Sequence, residues 1–366
     1  MKKIIFAANS LNLGGIETAL VSLVNCLAKL KLNNKYKYDI TVVLEKKEGI
    51  FLNQIDKRIN VIEYRVNSSK NWLFRKTVNF LTQSMFKLKY KNKFDFSVSY
   101  ATYSLPCSFV ARTASTNSTL WCHMDYLEQY KQDEAKFKQF FEEKKFRKFN
   151  NIVFVSKQGK ESFNKIYPEL KNVYYINNII DAKKIIEKSK EIVQENIEKS
   201  VPIFLNVGRH DEEQKKLSRI IDASKMLKDE KFKFKVLFVG EGQDTEKYKA
   251  VVLDLGLEDT IIFLGKKANP YPYFKLADCI LLSSDYEGFP VVFIESMVLN
   301  KPIITTKVSG SDEIDGIYGC VIEKNEIELY KKMMGFIVNG KMKIEQFNAN
   351  KYNEKIINKI ENLISN

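Results

Sequence analysis

Asp285-Tyr-Glu-Gly-Phe-Pro-Val-Val-Phe-Ile-Glu-Ser-Met297 sets a Gly/Pro turn against an apolar run and places one glutamate in each part. Glu287 stands in the turn, and Glu295 lies eight residues later, within the apolar stretch 291–299. A carboxylate in a segment that otherwise reads as buried is costly unless something polar meets it. Pro290 suits the first turn of a helix, where its missing N–H is no loss. The stretch therefore reads as a loop carrying Glu287, then a helix whose first amides point into a cleft. Such a helix start is a ready anion site. With a carboxylate before it and another about a turn inside it, the ligand that fits is anionic and rich in hydroxyls.

Working outward, the second half of the chain alternates apolar strands with helix-length segments. Ile203-Phe-Leu-Asn-Val207, Lys235-Val-Leu-Phe-Val239, Ile261-Ile-Phe263, Cys279-Ile-Leu-Leu282 and Pro302-Ile-Ile-Thr-Thr306 read as strands. The first half repeats the pattern. Ile4–Ala8, 40–44, 96–100, 152–155 and 173–176 read as strands, and 17–30 as an amphipathic helix. Continuous apolar strands with helical crossovers argue for parallel sheets covered on both faces. The fold class expected is α/β with two doubly wound sheets, and ligands gather at the carboxyl ends of such strands. The expected domains are 1–180, 181–349, and a terminal helix 350–366 with Ile356, Ile357, Ile360 and Ile364 on one face. Residues 182–200 read as a polar helix and linker at the seam.

The chain has 366 residues and a net charge of +14, unevenly spread. Residues 1–180 hold 30 Lys and Arg against 15 Asp and Glu, so the whole positive excess sits in the first half. Lys87-Leu-Lys-Tyr-Lys-Asn-Lys93 and Lys144-Lys-Phe-Arg-Lys148 interleave with Trp72, Phe74, Phe80, Phe86, Phe137, Phe140, Phe141 and Phe146. Basic and aromatic residues on amphipathic segments suit an anionic membrane surface. The competing reading is a solvated helix face above core phenylalanines. No recognition motif accompanies the charge, so nucleic acid is not the partner expected. No apolar run reaches the length of a membrane span. The N-terminus reads as a first strand rather than a signal peptide. Five cysteines without Cys-x-x-Cys spacing read as free thiols in a reducing cytoplasm.

Strand ends carry the chemistry. Gly208-Arg209 follows one strand, with Lys215-Lys216 at the next helix start, and a guanidinium beside an ammonium can neutralise a diphosphate. Gly240-Glu-Gly242 follows the next strand, where backbone can approach a ligand closely. Gly14-Gly15 gives a further nest of amides. Only two histidines exist, His123 and His210, one in each half, so a His-based zinc site is disfavoured. No Asp-x-Asp pair offers to hold a divalent metal, which leaves that work to the basic pair. No Gly-x-Ser-x-Gly elbow marks a hydrolase.

Taken in order, Gly14-Gly15, Trp121-x-His123, Val155-Ser156, Gly208-Arg209 with Lys215, Gly240-Glu241-Gly242, Phe263-Leu-Gly265 and the Glu287/Glu295 pair resemble the family 4 retaining glycosyltransferases of bacterial surface-polysaccharide type. The resemblance implies the GT-B fold, two Rossmann-like domains facing across a cleft, with the last helix crossing back to the first. It implies that Arg209 and Lys215 (or Lys216) bind the donor diphosphate. It gives Glu295 the ribose hydroxyls, and Glu287 the transferred sugar. It implies sugar and phosphate contacts from the amides of Gly288, Phe289 and Val291, with Gly208 and Gly240 lining the loops. Backbone near Lys267 would read the base, His123 would stand near the sugar, and Gly15 over the phosphates. The implied donor is a nucleotide diphosphate sugar, UDP by family frequency, with no metal or other cofactor. The implied acceptor is a glycan or lipid-linked hydroxyl at the inner face of the cell membrane, reached by a cytoplasmic, peripheral enzyme. The readings set against this are a two-Rossmann epimerase or phosphorylase, and a membrane-surface binding protein with a degenerate site. The lack of a Gly-x-Gly-x-x-Gly fingerprint after the first strand weighs against the former.

Overall fold

A computed structural model describes residues 1–365 apart from 198 and 341. The chain forms two compact units, Met1–Ile180 with Asn350–Asn366, and Asp181–Ala349. The first unit contains β1 (Lys2–Ala8), β2 (Lys31–Leu32), β3 (Lys35–Tyr36), β4 (Tyr38–Leu44), β5 (Asn60–Glu63), β6 (Phe96–Ser99), β7 (Ser118–Cys122), β8 (Asn151–Phe154) and β9 (Val173–Tyr175). Seven of these pair in parallel in the order β5-β4-β1-β6-β7-β8-β9, while β2 and β3 form a separate antiparallel ribbon. Among the central strands, β6 and β7 are buried along their length and β4 from Ile40 onward, with Ser97, Ser99, Ser118 and Thr119 buried beside the apolar side chains. Strand order reverses between β1 and β6, the point where an open α/β sheet leaves a crevice.

The second unit contains β10 (Ile203–Val207), β11 (Lys235–Val239), β12 (Ile261–Gly265), β13 (Cys279–Leu282), β14 (Ile303–Thr306) and β15 (Gly319–Ile322). They pair in parallel as β12-β11-β10-β13-β14-β15, with the reversal between β10 and β13. Both units are thus Rossmann-like doubly wound sheets. The sequence reading passed over β5 and β15. Both are edge strands, and their half-polar sequences, Asn60-Val-Ile-Glu63 and Gly319-Cys-Val-Ile322, lack a long apolar run. β12 runs on through Leu264 and Gly265, two residues beyond the strand read from the sequence. None of the five cysteines forms a disulfide.

The aromatic residues of the basic first half divide into two sets. Phe137, Phe141 and Phe146 are fully buried and meet Phe154 and Phe163 in one cluster, with Phe141 and Phe163 ring centres 4.9 Å apart. For the 137–148 segment the core reading is therefore the right one. Trp72, Phe74 and Phe80, by contrast, are more than half exposed on a helix spanning Trp72–Tyr90.

The last helix, Ala349–Ser365, packs on the first unit. It buries Ile356, Ile360, Leu363 and Ile364, a 3.6-period stripe. Lys37 and Tyr38 both reach Glu361, at 2.5 and 3.1 Å, and Asn117 Nδ2 donates to the Leu363 carbonyl at 3.3 Å. Burial of Ile360 makes it the anchor of this stripe. Ile360→Ala should lower the stability of the first unit by about 2–5 kcal/mol, read as an earlier urea midpoint. An unchanged midpoint would mean that the helix is not docked in solution.

Candidate functional site

In the second unit the loops after β10 and β13 diverge from the reversal in strand order, and side chains tie them together. Asp285 N–H donates to the Gln214 carbonyl at 2.8 Å, Ser283 Oγ to the Lys215 carbonyl at 2.9 Å, and Gln214 Nε2 to the Tyr286 carbonyl at 3.4 Å. Arg219 adds a donation to the Ser283 carbonyl at 2.7 Å and an ion pair with Asp285 at 2.6 Å. This clamp holds Glu287, only 6% exposed, against Lys215 Nζ at 2.5 Å, while Ser284 Oγ donates to the same carboxylate oxygen at 2.8 Å. Lys216, in a left-handed conformation (φ 51°), instead turns to Glu212 at 3.0 Å. Of the two lysines, Lys215 is the one beside Glu287. Arg209 stays solvent-facing, its side chain 61% exposed, and contacts Gln214 Oε1 at 2.9 Å and Asp211 at 3.1 Å.

The segment after Glu287 folds as read. Pro290 caps a helix spanning Val291–Val298, and the Phe293 N–H donates back to the Pro290 carbonyl at 3.0 Å. The Val291 and Val292 amides open that helix, where no carbonyl lies a turn behind them. Phe289 lies against Gly310, whose φ of 88° and proximity forbid a side chain: a Cβ there would stand 2.5 Å from the Phe289 ring. Glu295 is buried within the helix, and its Oε1 accepts from the Tyr271 hydroxyl at 3.0 Å. The resemblance assigns this acid to ribose rather than to a protein partner, and Tyr271 is a protein partner. Burial pushes the Glu295 carboxyl up to about 7, and the tyrosine hydrogen bond opposes that shift.

Gly240 and Gly242 have reasons of their own. Gly240 has φ 145°, and a Cβ on it would lie 1.8 Å from the Gly208 carbonyl oxygen. A Cβ on Gly242 would lie 2.1 Å from the His210 oxygen. These glycines let the turns after β10 and β11 touch backbone to backbone. His210 is a core histidine, its Nδ1 3.0 Å from Thr245 Oγ1, with burial lowering its pKa. Lys267 pairs with Glu195 at 2.5 Å, and the Tyr273 hydroxyl donates to the other Glu195 oxygen at 2.5 Å.

Gly15 and His123 belong to the first unit. Gly15 opens a helix spanning Gly15–Lys29. His123 follows β7, its ring 4.4 Å from Tyr100, and burial lowers its pKa to about 3. It is therefore neutral at physiological pH.

Gln214, Arg219, Ser284 and Tyr271 were not singled out from the sequence. Only Tyr271 had a signal, the Pro-Tyr-Pro-Tyr run after β12; the others act through contacts that strand order creates. Among the described residues, no three His, Cys, Asp or Glu side chains converge as a metal cage. The crevice can thus offer a paired ammonium, an exposed guanidinium, helix-start amides and two carboxylates.

Residues 187–354 match the family model for glycosyl transferases group 1. An uncharacterized glycosyltransferase of Methanocaldococcus jannaschii is 28% identical over 197 residues, 52% of this chain and 48% of that protein. The N-acetylgalactosamine-N,N'-diacetylbacillosaminyl-diphospho-undecaprenol 4-alpha-N-acetylgalactosaminyltransferase of Campylobacter jejuni is 28% identical over 188 residues, 50% of this chain and 49% of that protein. The chain spans about half the length of these curated relatives. Among solved structures, Anabaena HepE in complex with UDP and glucose is 16% identical, with a TM-score of 0.73 over 99% of this chain and 100% of HepE. This is a likeness of fold, and the fold is GT-B.

The raised pKa of Glu295 has a consequence for stability. A carboxyl held near 7 in the folded protein against 4.5 unfolded favours the folded state while protonated. Its contribution is complete below about 4.5 and is lost as pH rises to about 7. Thermal melts should show Glu295→Gln gaining on the wild type across that window and holding a constant lead above it. Parallel melting curves at every pH would show that Glu295 does not titrate there.

Proposed function

We propose, for a chain that belongs through residues 187–354 to the glycosyl transferases group 1, that it moves a hexose or N-acetylhexosamine from a UDP-sugar to a glycan hydroxyl. The acceptor in this reading is lipid-linked or membrane-proximal, and transfer retains the anomeric configuration. The process served is the assembly of surface polysaccharide or glycolipid by a cytoplasmic enzyme working at the membrane. The observation that carries the reading is the Lys215–Glu287 pair at the carboxyl ends of β10 and β13, one turn before the helix bearing Glu295. The UDP and glucose bound to HepE support the donor class. The diphospho-undecaprenol in the name of the Campylobacter relative supports a lipid-linked acceptor.

In this mechanism Lys215 exchanges Glu287 for the incoming diphosphate, and the exposed Arg209 swings onto the same group. Sugar transfer develops negative charge on the leaving phosphate and positive charge at the anomeric carbon. The two cations and the amides of Gly288, Phe289 and Val291 meet the first, the electrostatic contribution that usually dominates. They also supply the charge that a divalent metal would otherwise bring. Glu287, released from Lys215, faces the sugar hydroxyls and reacting carbon. Glu295 takes the ribose hydroxyls, the Lys267 backbone reads the base, and Gly208 and Gly240 let backbone approach the phosphates. His123 and Gly15, assigned by resemblance to the sugar and the phosphates, complete the set. The acceptor proton leaves on the departing phosphate, in a front-face attack that needs no protein nucleophile.

A screen of nucleotide sugars for slow hydrolysis needs no acceptor and tests the reading. One donor should release nucleoside diphosphate and free sugar. Arg209→Ala and Glu287→Ala should each lose about 10²–10³-fold in rate. Full activity in either variant refutes the assignment. Release of an epimerised nucleotide sugar or of a sugar phosphate would point instead to an epimerase or phosphorylase.

A further inference from the structure

The Trp72–Tyr90 helix has two apolar faces, and only one of them meets the protein. Phe86 is the one fully buried side chain on it, with Val78, Asn79, Thr82 and Tyr90 half-buried on the same side. Phe86 packs on Tyr64, Tyr90 and Phe109 there. Leu73, Thr77, Phe80, Leu81, the half-buried Ser84 and Leu88 recur at helical spacing on the opposite side, with Phe74 and Met85 at its margin. Leu73, Phe74, Phe80, Leu81, Met85 and Leu88 on that side are between 54% and 86% exposed. Soluble proteins rarely leave a contiguous patch of that kind uncovered.

The charges around the patch say what covers it. Lys76 and Lys87 border it on one side and Lys89 on the other, by the same helical spacing. From Glu63 to Asp95 the chain has eight Lys and Arg and no acidic residue between them. A second copy meeting this face would set cations against cations, which costs affinity. A nucleic acid would need the cations at the centre of the contact, and here they stand at its borders. Apolar centre, basic borders and a tryptophan at the helix end are the marks of a helix lying in an interface between water and lipid. Lysine stems can lie along the apolar layer while their ammonium groups stay at the headgroups.

We propose that the Trp72–Tyr90 helix docks this chain on anionic lipid, with Leu73, Phe80, Leu81 and Leu88 entering the acyl boundary and Lys76, Lys87 and Lys89 at the headgroups. The site lies on the first unit and its test involves no donor, so it stands or falls apart from the transferase reading. Where that reading also holds, the docked helix explains how a chain with no helix long and apolar enough to cross a membrane, among its described residues, works on a lipid-linked acceptor.

Trp72 supplies the readout, because Trp121, the other tryptophan, is buried in the first unit. The full chain should sediment with vesicles of equal parts phosphatidylglycerol and phosphatidylcholine, with a blue shift of tryptophan emission. It should not sediment with phosphatidylcholine alone. The double variant Leu81→Asp, Leu88→Asp should lose the binding and the shift while keeping the wild-type melting temperature, since both side chains are exposed. Lys87→Gln and Lys89→Gln should each weaken binding about five-fold, and added salt should do the same. Equal binding by the Asp variant, or no binding by the wild type, overturns the proposal. So does a dimer that the same Asp substitutions dissociate, or binding to an RNA oligomer in place of vesicles.

Discussion

An ionised carboxylate taken out of water has to be met by an opposite charge or by donors, and the second unit is arranged around two that are met differently. Glu287 has a full countercharge in Lys215 and a further donor in Ser284. That requirement explains the rest of the crevice, because Lys215 can reach Glu287 only if the turns after β10 and β13 are held side by side. Gln214, Ser283 and Arg219 do the holding, and Gly240 and Gly242 let the neighbouring turn close against it. Glu295 has only the Tyr271 hydroxyl among its recorded partners, and burial leaves it close to neutral. One acid is thus neutralised by an exchangeable lysine, the other by its own proton. Each arrangement suits a site whose ligand brings charge or hydroxyls of its own.

Much of this was legible in the sequence. The largely apolar strands pointed to both sheets, because a strand covered on two faces is mostly apolar, although β6 and β7 also bury serines and a threonine. The run from Asp285 to Met297 gave the loop, the cap and the helix in the right order. What escaped was of two kinds. Edge strands β5 and β15 carry no continuous apolar pattern, since an edge needs none. Contacts such as Arg219 with Asp285 depend on the reversal in strand order, which brings together residues far apart in the chain. The glycines show a subtler limit: Gly240 was read for its openness to a ligand, and its position also answers to the Gly208 carbonyl. The basic and aromatic stretches read alike in sequence, yet Phe137 and Phe141 fill a core while Phe80 and Leu88 face outward. Composition could not separate them, because burial depends on the side a helix presents.

Charge is divided between the units in keeping with this. The second unit pairs many of its cations with acids, in the crevice and outside it. The first carries the whole surplus, concentrated between Glu63 and Asp95 around one apolar helix face. In the two proposals above, paired charges meet the donor and an apolar helix face with basic borders meets the lipid, different answers to two ligands. One is small and anionic, the other extended and anionic.

The claim on which this account rests is that Lys215 is a displaceable counterion waiting for a diphosphate. Calorimetric titration of UDP into the full chain tests it most directly, with Lys215→Ala and Lys216→Ala alongside. The account predicts binding at one site per chain, abolished in the Lys215 variant and retained in the Lys216 variant. Binding that survives loss of Lys215, or a wild-type chain that takes up no nucleoside diphosphate at all, would contradict it.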